Sequence, residues 1–308
     1  MPNLTANGIT IACETAGDPG GMPVLLVAGV GLQLTSWPRD FIDGLVELGY
    51  YVIRFDNRDC GLSTKFTKAG TPNLTIAWLR AMFRLRVHSP YTLDDMADDA
   101  LGVLDALGIA KAHVVGLSMG GMIGQIIAAR HPERVLTLTS IMSSSGRRGL
   151  PGSSRAVRKA MLRRVRDLSD HRELVDYMMN IWRLIGSPSY PTSDKHLREQ
   201  VEAAIGRSVC RSGVARQMTA IMAGPPRTAL LRRIVRPTLV IHGAADPMLP
   251  PACGIDTARM VPGARLEVIE GMGHDLPAQL IERVLALIDV HARGKMTSDS
   301  LPRLFEKQ

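Results

Sequence analysis

Three observations predict an α/β fold with a mostly parallel central sheet interrupted once by helices. Wholly apolar runs such as Val24–Leu25–Leu26–Val27–Ala28 recur along the chain, as expected of strands covered on both faces. Amphipathic stretches alternate with them in the strand–helix–strand rhythm of parallel βαβ units. From about residue 143 to residue 227 that rhythm stops, only helical patterns occur, and then it resumes. The expected organisation is a first core segment over 1–142, a helical cap inserted over 143–227, a second core segment over 228–293, and a flexible polar tail over 294–308.

In order, Leu4–Thr5–Ala6 and Ile9–Thr10–Ile11–Ala12 are alternating runs joined by Asn7–Gly8, a strong hairpin signal. The run 24–28 ends in Gly29–Val30–Gly31, and the spaced apolar residues of 41–48 form a helix before the strand Tyr51–Val52–Ile53–Arg54–Phe55. A basic amphipathic helix over 75–86 follows. It is expected to pack on the body, with a substrate-entrance or membrane-touching role as the alternative. Thr92 N-caps a helix to Leu107, with Asp94 and Asp95 in its first turn and Gly108 ending it. Residues 134–141 supply another strand. Beyond the insert, 238–241 is a strand, 250–260 a helix, 264–270 a strand and 276–291 a helix.

Composition narrows the partners. A hydrophobic fraction of 45% in 308 residues describes a globular chain with a large core. The net charge of +8 is concentrated in the insert, where 147–227 carries sixteen Lys/Arg against seven Asp/Glu. A solvated arginine-rich face accounts for it, with attraction of an anionic substrate or membrane surface as the alternative. No nucleic-acid-binding module is recognisable, so no nucleic-acid partner is expected. Cys13, Cys60, Cys210 and Cys253 lack metal-site spacing, and neither metal nor cofactor is expected. The opening Met1–Pro2–Asn3–Leu4 has no signal-peptide pattern and no apolar run reaches membrane-spanning length. A cytoplasmic protein without stable membrane insertion is the expectation.

The chemistry centres on Val114–Val115–Gly116–Leu117–Ser118–Met119–Gly120, in which an apolar strand runs into G-x-S-x-G and a helical stretch follows. That order builds a nucleophile elbow, whose tight turn requires small residues two before and two after the serine. Gly116 and Gly120 meet the requirement, and the helix starting at Met119 aims backbone N–H groups at an anion formed at Ser118. A serine hydroxyl needs a base, and the base an orienting acid. His274, in Gly271–Met272–Gly273–His274 just past the last strand, is the candidate base. Asp246, past the preceding strand, is the candidate acid. Asp275 adjoins the base and is expected instead to cap the helix at Leu276, and the other strand-end position, Met142–Ser143–Ser144–Ser145, holds no carboxylate.

The order Ser118, Asp246, His274 resembles that of the α/β-hydrolases, and the likeness runs from the first hairpin to the last helix. The resemblance implies an α/β-hydrolase fold with a cap, and a serine esterase working through a Ser118–His274–Asp246 triad and an acyl-enzyme. It also implies an oxyanion hole made by the amides of Met119 and Val30, although the family's usual His-Gly-X is here Ala28–Gly29–Val30–Gly31. Asp56–Asn57–Arg58–Asp59–Cys60–Gly61–Leu62–Ser63 resembles the family turn D-x-R-G-x-G-x-S, with Asp59 where glycine is usual and Arg58 in a structural role. The loop Gly29 to Pro38 is similar to that of aclacinomycin-type polyketide methylesterases.

A small-molecule, apolar ester is the expected substrate, with Trp182, Met179 and Met142 as candidate pocket residues. Lactone, thioester and carbon–carbon bond hydrolysis use the same three side chains and stay open. So does a non-catalytic ligand receptor on the same fold. Serine at the nucleophile position argues against haloalkane dehalogenase and epoxide hydrolase chemistry, which use aspartate there.

Overall fold

The computed structural model describes residues 3–162 and 170–294. Asn7 and Gly8 both adopt positive φ, which turns β1 (Asn3–Ala6) back onto β2 (Ile9–Ala16) in an antiparallel hairpin. After β3 (Met22–Val27), α1 (Arg39–Glu47) buries Phe41, Ile42 and Leu45 and leads to β4 (Tyr50–Phe55). Next come α2 (Leu74–Met82) and α3 (Leu93–Ala106). Thr92 caps α3 and Asp95 returns the bond to the Thr92 backbone, so the expected cap is a full capping box. β5 (Ala112–Leu117), α4 (Met119–Arg130) and β6 (Val135–Ile141) complete the first core segment.

Between β6 and the next strand the described chain is helical, with α5 (Arg155–Leu162), α6 (His171–Ile185), α7 (Asp194–Arg207) and α8 (Arg211–Ala223). The short α9 (Thr228–Leu231) leads into β7 (Thr238–Gly243), α10 (Ala252–Met260), β8 (Arg265–Ile269) and α11 (Ile281–Ala292). The tail expected over 294–308 lies outside the described residues from 295 onward. Two expected helices differ from what is found. The stretch 75–86 stops being helical at Met82, and Arg84 takes positive φ. The helix expected from Leu276 begins at Ile281 after a 3-10 turn over Ala278–Leu280.

The described strands form one eight-stranded sheet in the order β1-β2-β4-β3-β5-β6-β7-β8, parallel from β4 to β8. Alternation along each strand separates two apolar layers. Leu25, Val27 and Val114 pack with Met96, Leu104, Ile123 and Ile127 on one face. Val24, Leu26 and Val115 pack with Phe41, Leu45, Val284 and Ile288 on the other. The pairings Val27–Gly116, Leu117–Ile141, Ile141–Ile241 and Gly243–Ile269 bring the carboxyl ends of β3, β5, β6, β7 and β8 into one row. The loops that leave this row carry Val30, Ser118, Asp246 and His274, the edge where open α/β sheets place their ligands.

Candidate active site

Ser118 joins β5 to α4 with φ +52°, a conformation disfavoured for any residue with a Cβ. The strain persists because the surroundings leave no alternative. A Cβ on Gly116 would lie 2.3 Å from the Gly120 carbonyl, and one on Gly120 would lie 1.9 Å from the Val27 carbonyl oxygen. The Ser118 amide donates to the Ile141 carbonyl at 2.9 Å, and Ser143 Oγ donates to the Ser118 carbonyl at 2.7 Å. The side chain therefore stands at the rim of the sheet, beside the first N–H groups of α4, which no intrahelical carbonyl can reach.

The imidazole of His274 faces it. His274 Nε2 is 3.2 Å from Ser118 Oγ, and Nδ1 is 2.6 Å from Asp246 Oδ2. Asp246 is buried, and its other oxygen accepts the Met248 and Leu249 amides at 2.8 Å each, an Asx turn that fixes the carboxylate plane. His242 Nε2 lies 3.5 Å from Asp246 Oδ2 while bonding the Leu249 carbonyl at 2.7 Å. Burial lowers the His242 pKa, so it is a neutral partner that adds no competing cation. The structure thus brings the three side chains into one line of hydrogen bonds.

Opposite, the loop after β3 passes so close to the serine that a Cβ on Gly29 would sit 3.4 Å from Ser118 Cβ. Leu32 N–H closes a turn onto the Gly29 carbonyl, with Gly31 at φ +67°. The Gly31 amide is taken up by Gln217 Oε1 at 2.8 Å, and Asn57 Nδ2 donates to the Ala28 carbonyl at 3.1 Å. Between these two tethers stands Val30.

Gln217 was invisible to motif reading. It lies on α8, fully buried, and its amide nitrogen also donates to the Arg58 carbonyl at 2.8 Å. The insert reaches the histidine loop as well. His274 N–H donates to the Ile185 carbonyl at 2.7 Å, and Gly273 N–H donates to Ser187 Oγ at 2.8 Å. Ser187 in turn donates to Asp275, which corrects the expectation that Asp275 caps a helix at Leu276. Burial raises the Asp275 pKa and the Ser187 contact opposes that rise. Neither Gln217 nor Ser187 has a local signature, because each is defined by a partner far away in sequence.

The three expected pocket residues fall in two apolar clusters. Met179 is buried against Val175, Leu197 and Val201 between α6 and α7, and Trp182 packs at the edge of that cluster. Met142, at positive φ, is buried with Leu117, Ile141 and Met272. In the turn after β4, Arg58 pairs with buried Asp99 at 2.6 Å. Asp59, at φ +67°, adopts the conformation that glycine takes easily. Its carboxylate holds Arg216 at 2.7 Å through both oxygens, along with the Tyr91 hydroxyl and the Phe66 amide. Burial alone would raise its pKa, but these donors hold it below the ordinary carboxylate value. Burial pushes the thiols of Cys13 and Cys60 up to about 12, so neither offers a thiolate at neutral pH.

Comparison with known proteins identifies the family. A family model described as the alpha/beta hydrolase fold matches residues 22–278. Rhodomycin D methylesterase DauP of a Streptomyces species is 34% identical over 311 residues, covering 94% of this chain and 97% of the relative. Rhodomycin D methylesterase DnrP of Streptomyces peucetius has the same identity and coverage. Among solved structures, the meta-cleavage product hydrolase of Pseudomonas fluorescens superposes with a TM-score of 0.74 at 21% identity, covering 96% of this chain and 98% of that one. A thermophilic esterase from Thermogutta terrifontis gives 0.70 at 27% identity, covering 96% and 99%.

Proposed function

The chain belongs to the α/β-hydrolase fold family, and on that premise we propose that it is a serine hydrolase of carboxylic esters, acting on the methyl ester of a bulky polycyclic compound. The observation that carries the reading is the hydrogen-bonded line Ser118–His274–Asp246 at the carboxyl edge of the sheet. His274 takes the proton from Ser118 Oγ as that oxygen attacks the ester carbonyl, and Asp246 holds the imidazole in the tautomer with Nδ1 protonated. The amides of Met119 and Val30 receive the oxyanion; one such donor is worth roughly 3–4 kcal/mol. His274 then returns the proton to the leaving alkoxide, and water releases the acyl group by the same steps in reverse.

The insert serves as a cap over this rim, since Ile185, Ser187 and Gln217 all reach the loops around it. The choice of a methyl ester rests on the two rhodomycin D methylesterases, aligned over nearly the full length. The four thiols, free in the described structure, suit a reducing cytoplasm. The test is a panel of polycyclic and simple acyl esters with methyl, ethyl and butyl alcohols. Methyl esters of the polycycles should give the highest kcat/KM, and Ser118→Ala should lose about a millionfold in turnover. Hydrolysis retained by purified Ser118→Ala protein would remove the proposal.

A further inference from the structure

The segment from Thr64 to Leu93 separates the turn after β4 from α3, and the catalytic geometry makes no use of its outer side. α2 packs on α8 through one narrow side, where Ala77 is buried. The opposite side is apolar and faces water. Ile76, Trp78, Leu79, Met82 and Phe83 fall within less than half a turn of the helical wheel, with Trp78 52% and Phe83 66% exposed. Leu85, just past the helix end, is 55% exposed. A contiguous apolar face of this kind is uncommon on a surface that meets only water.

Its charge is equally one-sided. Residues 64–93 carry Lys65, Lys68, Arg80, Arg84 and Arg86 and no Asp or Glu. Arg84 and Arg86 are exposed beside the apolar face, and Arg80 borders it. The helix beneath, α8, has no carboxylate and adds Arg211, its other cation, Arg216, being buried and paired with Asp59. A second copy of the chain would meet this face with the same cations and no counter-charge. Tryptophan and phenylalanine are suited to the boundary between lipid headgroups and acyl chains, and arginines beside them are suited to anionic headgroups.

We propose that the outward face of α2 docks the protein reversibly on an anionic lipid surface, with Trp78 and Phe83 entering the headgroup boundary and Arg84 and Arg86 pairing with lipid phosphates. The helix lies in the plane of the surface. Among the described residues, no helix is long and apolar enough to cross a membrane. A single helix of nine residues gives a weak, salt-sensitive association, one that a cell can make and release.

The test is sedimentation of the purified full chain with vesicles of phosphatidylcholine alone and of an equimolar mixture with phosphatidylglycerol. Binding is expected on the mixed vesicles, at least about tenfold weaker on phosphatidylcholine alone, and lost when salt rises from about 0.01 M to about 1 M. Arg84→Gln with Arg86→Gln should weaken binding about 25-fold, at roughly fivefold for each charge. Trp78→Gln with Phe83→Gln should abolish it, whereas Trp78→Phe should bind but lose the blue shift of tryptophan emission. All these variants should hydrolyse a short soluble ester at the parent rate, which reports that they are folded. Four outcomes would overturn the proposal. They are no binding to the mixed vesicles, equal binding to both vesicle types, a dimer in lipid-free solution that Phe83→Gln dissociates, and binding of polyglutamate as tightly as of vesicles with no effect from Trp78→Gln, the mark of an acidic protein partner.

Discussion

The serine and the two loops that face it are held in place by different parts of the molecule. What fixes Ser118 belongs almost wholly to the core: the close approach of Gly116 to Gly120 and of Gly120 to Val27, and the Ile141 carbonyl, with the Ser143 hydroxyl added where the insert begins. The histidine loop and the loop after β3 also lean on the insert, through the Ile185 carbonyl, Ser187 and Gln217. A nucleophile needs its strained backbone at every moment, and only a close-packed core supplies that rigidity. Its partners need only be in register when substrate is bound, so hydrogen bonds from a separate helical layer suffice. Nucleophile geometry should therefore rise and fall with folding, and partner geometry should be separable from it.

The largest expected effect comes from breaking the core side. Gly120→Ala places a methyl group 1.9 Å from the Val27 oxygen, and both are backbone-fixed, so the elbow itself must move. A loss of about 4 kcal/mol is expected, or roughly 10 °C in Tm, together with loss of ester turnover and of fluorophosphonate labelling at Ser118. A stable, fully active Gly120→Ala protein would contradict the division drawn here.

A smaller effect is expected from the insert side. Gln217→Ala releases the Gly31 amide, and Ser187→Ala releases Gly273 and leaves half-buried Asp275 without its hydroxyl donor. Each should lower kcat about tenfold, less than loss of a proposed oxyanion donor itself, because those amides survive and only their placement loosens. Fluorophosphonate labelling of Ser118 should still occur, more slowly, and Gln217→Ala should shift Tm by no more than about 3 °C. Loss of stability in Gln217→Ala comparable with that of Gly120→Ala would mean that the insert is part of the same cooperative scaffold.

The two sides also differed in how far they could be read from sequence. The elbow was legible because its requirements are local: an apolar strand, two glycines and a helix within about a dozen residues. The hairpin at Asn7–Gly8 and the cap at Thr92 were legible for the same reason. The placement of Asp246 and His274 near Ser118 could be anticipated because parallel strands all end on one edge, so position after a strand implies position in space. Gln217 and Ser187 could not, since a hydrogen bond across 186 or 86 positions leaves no mark near either residue. Met179 and Trp182 were ambiguous for a related reason. An apolar face on an inserted helix can line a pocket or pack against its neighbour, and α7 supplied the neighbour. Asp275 showed the same competition, because Ser187 took the carboxylate that a helix start at Leu276 would have used.

The remaining comparison concerns acid, which should act mainly on the core. His113, His242 and His291 are buried in β5, β7 and α11, and burial lowers all three pKa values, that of His113 to about 4. Unfolded, each would take up a proton near the ordinary histidine value of about 6.5. The unfolded chain then binds more protons than the folded one, so stability rises with pH across this interval and falls as pH drops from about 6.5 towards 4. Asp99 and Asp275, raised by burial, work the other way and flatten the slope at its acid end. Tm should therefore fall by several degrees between pH 7 and pH 5, and His113→Gln should reduce that fall. His171 and His196, exposed on the insert, should leave it unchanged when replaced by Gln. A Tm as sensitive to His196→Gln as to His113→Gln would place acid lability in both layers, and the core could no longer be treated as the unit whose integrity sets the nucleophile.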